Sequence, residues 1–166
     1  MPTQTYTPIA TYTAPSAQAS YTFNSIPGTY TDLVLIATSA SSLGTGYGLR
    51  MRFNSDSGSN YSWTHLLGTG SAANSNRGSN NSSILIGYSP AAIGGNTVIV
   101  NVQNYSNSTT YKTSIARANE ADYRVGAIAG LWRNTAAITS LTLLDEGGGN
   151  LLTGSTFTLY GIKAGS

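Results

Sequence analysis

The chain reads as an all-β protein: an antiparallel β-sandwich, jelly-roll-like, with about ten short strands in a single domain spanning residues 1–166. Three observations predict this. Apolar and polar residues alternate with a period of two along most of the chain. Thr, Tyr, Val and Ile fill the alternating stretches, as pleated, half-buried surfaces favour. Clusters of Gly, Asn, Ser and Asp interrupt them at short, regular intervals, the spacing of a sandwich rather than of helices joined by linkers.

Taken in order, residues 5–13 alternate through Ile9-Ala10-Thr11-Tyr12-Thr13 and form the first strand. Pro2, Pro8 and Pro15 restrict residues 1–15 to an edge strand or an extended arm that reaches a neighbouring subunit, the edge strand being the simpler reading. Strands follow at 17–23 and 31–38, the latter around Leu33-Val34-Leu35-Ile36. Gly44-Thr45-Gly46-Tyr47-Gly48 lacks the Lys of a phosphate loop and precedes a strand, so it is a turn. In Leu49-Arg50-Met51-Arg52-Phe53 the apolar residues point one way and the arginines the other. Ser55-Asp56-Ser57-Gly58-Ser59-Asn60 is turn chemistry. A strand at 61–67 follows it.

Residues 68–81 read as a long polar loop, either a contact loop or a surface excursion. Further strands are expected at 82–88, 96–104, 109–117 and 122–132. The window Ile115 to Ala129 is the one helix-like stretch, through Ala116, Ala118 and Ala121, but it lacks an apolar stripe. One turn of helix fits near Ala118-Asn119-Glu120-Ala121. Strands at 138–143 and 156–162 flank the turn Gly147-Gly148-Gly149-Asn150.

The charge content narrows the function. Eight basic and six acidic residues make up 8% of the chain, with one histidine and no cysteine. Ordinary soluble proteins carry about 25% charged residues. General acid–base, nucleophilic and metal chemistry draw on the residue types that are scarce here, so the expectation is a non-enzymatic protein with no catalytic residue, cofactor or metal. Arg50, Arg52, Arg77, Arg117, Arg124 and Arg133 are scattered and only two lysines accompany them, so neither the net charge of +2 nor a pI near 8.9 signals nucleic-acid binding. No basic N-terminal segment precedes an apolar run, and the longest apolar run is far short of a membrane span. A soluble protein made in the cytosol is expected.

Four constellations invite chemistry, and each has a structural explanation. His65 alone could serve a Ser-His-Asp triad, but no Gly-x-Ser-x-Gly elbow accompanies it, and a structural or exposed strand histidine is expected. Asp145-Glu146 is the one adjacent acidic pair and reads as solvated charges at a hairpin loop. Asn54 to Asn60 is oxygen-rich like a calcium loop, but carries a single carboxylate. Asp32 reads as a turn residue. The better lead is aromatic: two tryptophans and eleven tyrosines in a Ser/Asn/Gly context resemble the composition of binding loops. Tyr47, Tyr61 and Trp63 are candidates to stack on sugars, while Trp132, after Ala129-Gly130-Leu131, reads as core.

Four segments carry a resemblance. They are Ser25 to Leu35 (SIPGTYTDLVL), Leu49 to Ser62 (LRMRFNSDSGSNYS), Gly130 to Leu143 (GLWRNTAAITSLTL) and Gly154 to Lys163 (GSTFTLYGIK). In order and spacing they resemble a module of structural proteins in tailed bacteriophages, with Ser55 and Ser57 standing where Gly and Thr are common. The resemblance implies a virion protein on head or tail and brings no catalytic motif. Within that setting, the short chain without a coiled-coil shaft favours a capsid decoration or cement protein that binds and stabilises the major capsid protein as a homo-oligomer, a trimer among the options, using loops and the N-terminal arm. The alternative it allows is a tail-fibre or tail-tip module binding host-surface glycan.

Overall fold

The structure, a computed structural model, describes residues 5–163. It is all-β, with no α-helix among the described residues. Twelve strands run in chain order: β1 (Tyr6–Thr13), β2 (Ser20–Phe23), β3 (Asp32–Thr38), β4 (Tyr47–Phe53), β5 (Tyr61–Gly68), β6 (Ala73–Asn81), β7 (Ile84–Ser89), β8 (Asn96–Gln103), β9 (Lys112–Glu120), β10 (Arg124–Trp132), β11 (Leu141–Asp145) and β12 (Thr156–Ile162). They form two antiparallel sheets. The larger has the order β1-β12-β3-β8-β9-β10-β5-β6 and the smaller β2-β11-β4-β7. From β2 to β5 the chain changes sheet at every connection, and again from β6 through β8 and from β10 to β12. This interleaving is jelly-roll-like. The meander β8–β10 lies in the middle of the larger sheet, and β1–β12 extend it at one side.

The two inner faces make one core. Leu33, Leu35 and Ala37 of β3, Leu49, Met51 and Phe53 of β4, and Val98, Val100 and Val102 of β8 are fully buried. Period two places them there, and the arginines between the β4 residues turn to the outer face. Trp132 is buried at the end of β10 and packs at 5.5 Å from Phe53 and 6.2 Å from Tyr61.

Each stretch expected to be a strand contains one. The helix-like window is instead the β9–β10 hairpin, and of the expected helical turn Ala118, Asn119 and Glu120 end β9 while Ala121 opens the hairpin tip. Positions 112, 114, 116, 118 and 120 are buried and those between them exposed, so burial on a period of two overrides the helix propensity of alanine.

Residues 1–15 resolve mostly into β1, an edge strand paired with β12 and bulged between Pro8 and Ala10. Residues 1–4 of the possible arm lie outside the described ones.

The expectation of a long loop at 68–81 is corrected. Ala73–Asn81 is β6, paired with β5, and only a short turn remains, closed by Thr69 N–H to Ala72 O at 2.9 Å. β6 lacks apolar alternation because β7 covers β9 and β10 and the β5–β6 hairpin projects past it, leaving β6 wet on both faces. Gly78 is required there. A Cβ at that position would come within 2.6 Å of the Trp63 ring and of the Asn81 amide.

The two ends of the sandwich turn by different means. At one end Gly44, Gly46, Gly70, Gly94, Gly147, Gly148 and Gly154 all have positive φ. At the other the positive-φ residues are Ser25, Asn54, Ser55, Asn80 and Asn104. Asparagine tolerates that region by bonding nearby backbone. Asn54 shows how: its Oδ1 accepts from Thr139 N at 2.8 Å and Ser140 N at 3.1 Å, and its Nδ2 donates to Ala137 O at 2.8 Å. The asparagine end is therefore laced by the same side chains that make its positive-φ turns, while at the glycine end other residues, such as Ser41 on Asp145 and Ser42 on Asn150, tie the loops together.

Candidate functional site

The residues singled out for chemistry separate into two groups. Those at the asparagine end are structural. Asp56 accepts from Gly58 N at 2.8 Å, Asn60 Nδ2 at 2.9 Å and Trp132 Nε1 at 2.7 Å. Burial pushes its carboxyl up, but these bonds and the Arg52 charge hold it below the usual carboxylate range. The loop 54–60 thus uses its one carboxylate to pin Trp132. No group of three or more His, Cys, Asp or Glu that could hold a metal occurs among the described residues.

Tyr61 is fully buried. Its hydroxyl accepts from Phe53 N at 3.0 Å and donates to Asp56 O at 3.0 Å. Tyr61 therefore leaves the set of possible sugar-stacking rings. Lys112 is also buried, and its ammonium donates to Thr110 O at 2.7 Å and Thr135 O at 2.9 Å. Burial pulls its pKa down.

The second group converges where β5 passes the edge of β7, toward the glycine end. Trp63 and His65 occupy alternate inward positions of β5 and stack at 5.5 Å. The Arg50 guanidinium, from the outer face of β4, sits 5.3 Å from the Trp63 ring centre and pairs with Glu146. Glu146 also accepts from Gly48 N at 3.0 Å. The Tyr88 hydroxyl lies 3.1 Å from His65 Nδ1, and Arg124 lies 3.8 Å over the Tyr88 ring. Arg124 Nε donates to Glu120 at 2.7 Å, with side chains 8% and 2% exposed. Arg124 also sits 4.9 Å from the ring centre of Tyr123. A continuous chain of charges and rings therefore runs Glu146–Arg50–Trp63–His65–Tyr88–Arg124–Tyr123.

Electrostatics make this corner a scaffold. Burial first, and Arg50 second, hold His65 below the ordinary imidazole value, so it is neutral at neutral pH. Its Nδ1 faces a tyrosine hydroxyl and its ring an indole, not the serine and carboxylate of a triad.

The acidic pair is corrected from two solvated charges. Asp145 is buried and accepts from the Ser41 hydroxyl, and burial raises its carboxyl above the usual range. Glu146 is the partner of Arg50. Trp63 is partly buried between Arg50, His65 and the Gly78 backbone. Of the three stacking candidates, only Tyr47 is exposed.

Sequence reasoning missed Glu120, Tyr88, Tyr123 and Arg124. One signal was present: the two opposite charges flank Ala121-Asp122-Tyr123, which places them directly across a hairpin.

Alkali tests the buried phenols. Desolvation raises the pKa of Tyr21, Tyr61, Tyr88 and Tyr105 above 10.0. In the unfolded chain these tyrosines ionise near the ordinary value, while the native state keeps their protons. Their contribution is complete below about pH 10 and is lost as the pH rises through the folded values. Lys112, shifted down, works the other way but is one group against these four. Urea midpoints are expected to fall between about pH 9 and pH 11. A flat profile would contradict the burial of these rings.

The fold and this corner define a class: an antiparallel β-sandwich whose two ion pairs, Arg50–Glu146 and Arg124–Glu120, are joined by a run of aromatic rings. No family model matches the chain, and neither does any curated protein.

Proposed function

We propose that the chain is a non-enzymatic virion structural protein of a tailed bacteriophage. It acts as a decoration or cement protein that binds the major capsid shell as an oligomer. One observation carries the assembly part of this reading: the outer face of the larger sheet carries an exposed apolar patch over β5, β9 and β10. Leu66, Ile115 and Val125 are 62%, 49% and 63% exposed there. They surround Ala127 and Ala129 in cross-strand register, Ala127 opposite Leu66 and Ala129 opposite Ile115. A shallow depression of about 290 Å³ runs between Leu66 and Ile115. On β8, β9 and β10 the one charged side chain facing outward is Arg117. Contiguous exposed apolar surface of this kind marks interaction sites.

Binding there adds free energy to the assembled state alone, which is how a clamp stabilises a shell. The sequence resemblance supports the virion setting. The contact shifts from the N-terminal arm to the sheet face, because residues 6–13 are committed to β1.

The test is recovery of the protein on separated phage heads and tails, with copy number per particle. Head attachment in many copies is expected. Leu66→Asp and Ile115→Asp, on exposed positions, are expected to weaken attachment about tenfold or more, with unchanged thermal midpoints. Attachment to tails, or variants that attach like the wild type, would refute the reading.

A further inference from the structure

At the glycine end, the tip of the β9–β10 hairpin stands between two clefts. The first, about 330 Å³, lies against the β5–β6 turn, with Gly68, Thr69, Gly70, Asn119 and Arg124 in its walls. The second, about 390 Å³, lies against loop 90–95 and is closed on one side by Thr45 and Glu120. Asp122 and Tyr123 border both.

Tyr123 is 51% exposed, yet its ring is held. Arg124 packs 4.9 Å from its centre and is itself fixed by the Tyr88 face at 3.8 Å and by Glu120 at 2.7 Å. Such fixation removes the ordering cost that a mobile ring would add on binding. Polar groups beside the ring are also left over. Asn119 uses its carbonyl oxygen on Thr97 N at 3.1 Å, which leaves its amide NH₂ for a ligand. Asp122 is exposed and supplies an acceptor.

A rigid aromatic face with a few convergent donors and acceptors at a concave surface recognises a pyranose ring. The sugar's C–H face packs on the aromatic, and its hydroxyls pair with planar polar groups. The charge balance selects the sugar. Glu120 neutralises Arg124, and Asp122 adds a net negative charge, so acidic saccharides are repelled.

We propose that this hairpin tip binds neutral hexopyranose units of a glycan. Tyr123 is the platform, Asp122 and Asn119 are polar contacts, and Arg124 is the positioning residue. The site is separate from the sheet face and independent of the protein's place in a particle.

Saturation-transfer NMR and calorimetry on the full chain test it. The probes are glucose-, galactose- and N-acetylglucosamine-terminated oligosaccharides, with sialylated ones alongside. At least one neutral probe is expected to bind. Tyr123→Ala is expected to weaken that binding about tenfold or more, with an unchanged thermal midpoint. Tyr47→Ala, an exposed ring outside the clefts, is expected to bind like the wild type. The proposal is overturned if no neutral probe binds, if only sialylated probes bind, or if Tyr123→Ala binds like the wild type. Failure of this test with retained head attachment would leave the assembly reading standing.

Discussion

Trp132→Ala is expected to be strongly destabilising, read as a large fall in the urea midpoint. The indole is fully buried between Phe53 and Tyr61, and its N–H is one of the three bonds that hold Asp56. Removing a buried tryptophan costs about 3–5 kcal/mol through lost transfer energy and the cavity left behind. Domain stabilities are about 5–15 kcal/mol, so this one side chain can exhaust most of the margin. Trp132→Phe separates the two contributions. It keeps much of the packing and removes the bond to a carboxylate, and bonds of that kind contribute about 1.5–3 kcal/mol. Asp56 is only partly buried and can turn to water, which places the expected loss near the lower figure.

The pH dependence should change with it. A carboxyl held below its usual range contributes stability above that range and loses it as the pH falls through the folded value. Trp132→Phe should therefore flatten the acid limb of a urea midpoint profile. An unchanged acid limb would show that Asp56 is held by its own loop alone.

Glu120→Ala or Arg124→Ala alone should each destabilise by about 3–5 kcal/mol, because each leaves an uncompensated charge in a dry hairpin. The two side chains are 2% and 8% exposed, so water does not replace the missing partner. The double replacement Glu120→Leu with Arg124→Met should recover most of that loss, since desolvating a pair offsets much of its attraction. Urea denaturation of the two single variants and the double closes the cycle. Additive losses, with the double variant as unstable as the sum, would show that the pair is not coupled. Arg124→Ala should also free Tyr123, which packs on the guanidinium.

The outer apolar face and the corner differ in how far the sequence shows them. Alternation within β9 and within β10 marks which residues of each strand share a face, but only the register, with Ala129 opposite Ile115, joins the two sets into one patch. Alternation does not show that this face lacks a second layer, because coverage depends on how many strands join each sheet. The corner is less visible still. Arg50 and Glu146 are 96 positions apart, and nothing local in either segment announces the other. The stacking candidates illustrate the same limit. Tyr47, Tyr61 and Trp63 look alike in their loops and strands, yet one is exposed, one fully buried, and one wedged beside an arginine.

By itself, the sequence determined that this protein is all-β, where nearly every strand lies, which side chains of β4 share a face, and that Trp132 is core. These follow from a period of two, which a chain displays within a few residues. Tertiary structure alone decided that Ala73–Asn81 is a strand, that Asp145 is buried, and that Tyr123 stands exposed above a buried ion pair. In a sandwich that changes sheet at most connections, burial and pairing are set by segments distant in sequence. A polar stretch becomes a strand when a neighbour supplies its ladder, and an aspartate loses its water when another loop closes over it.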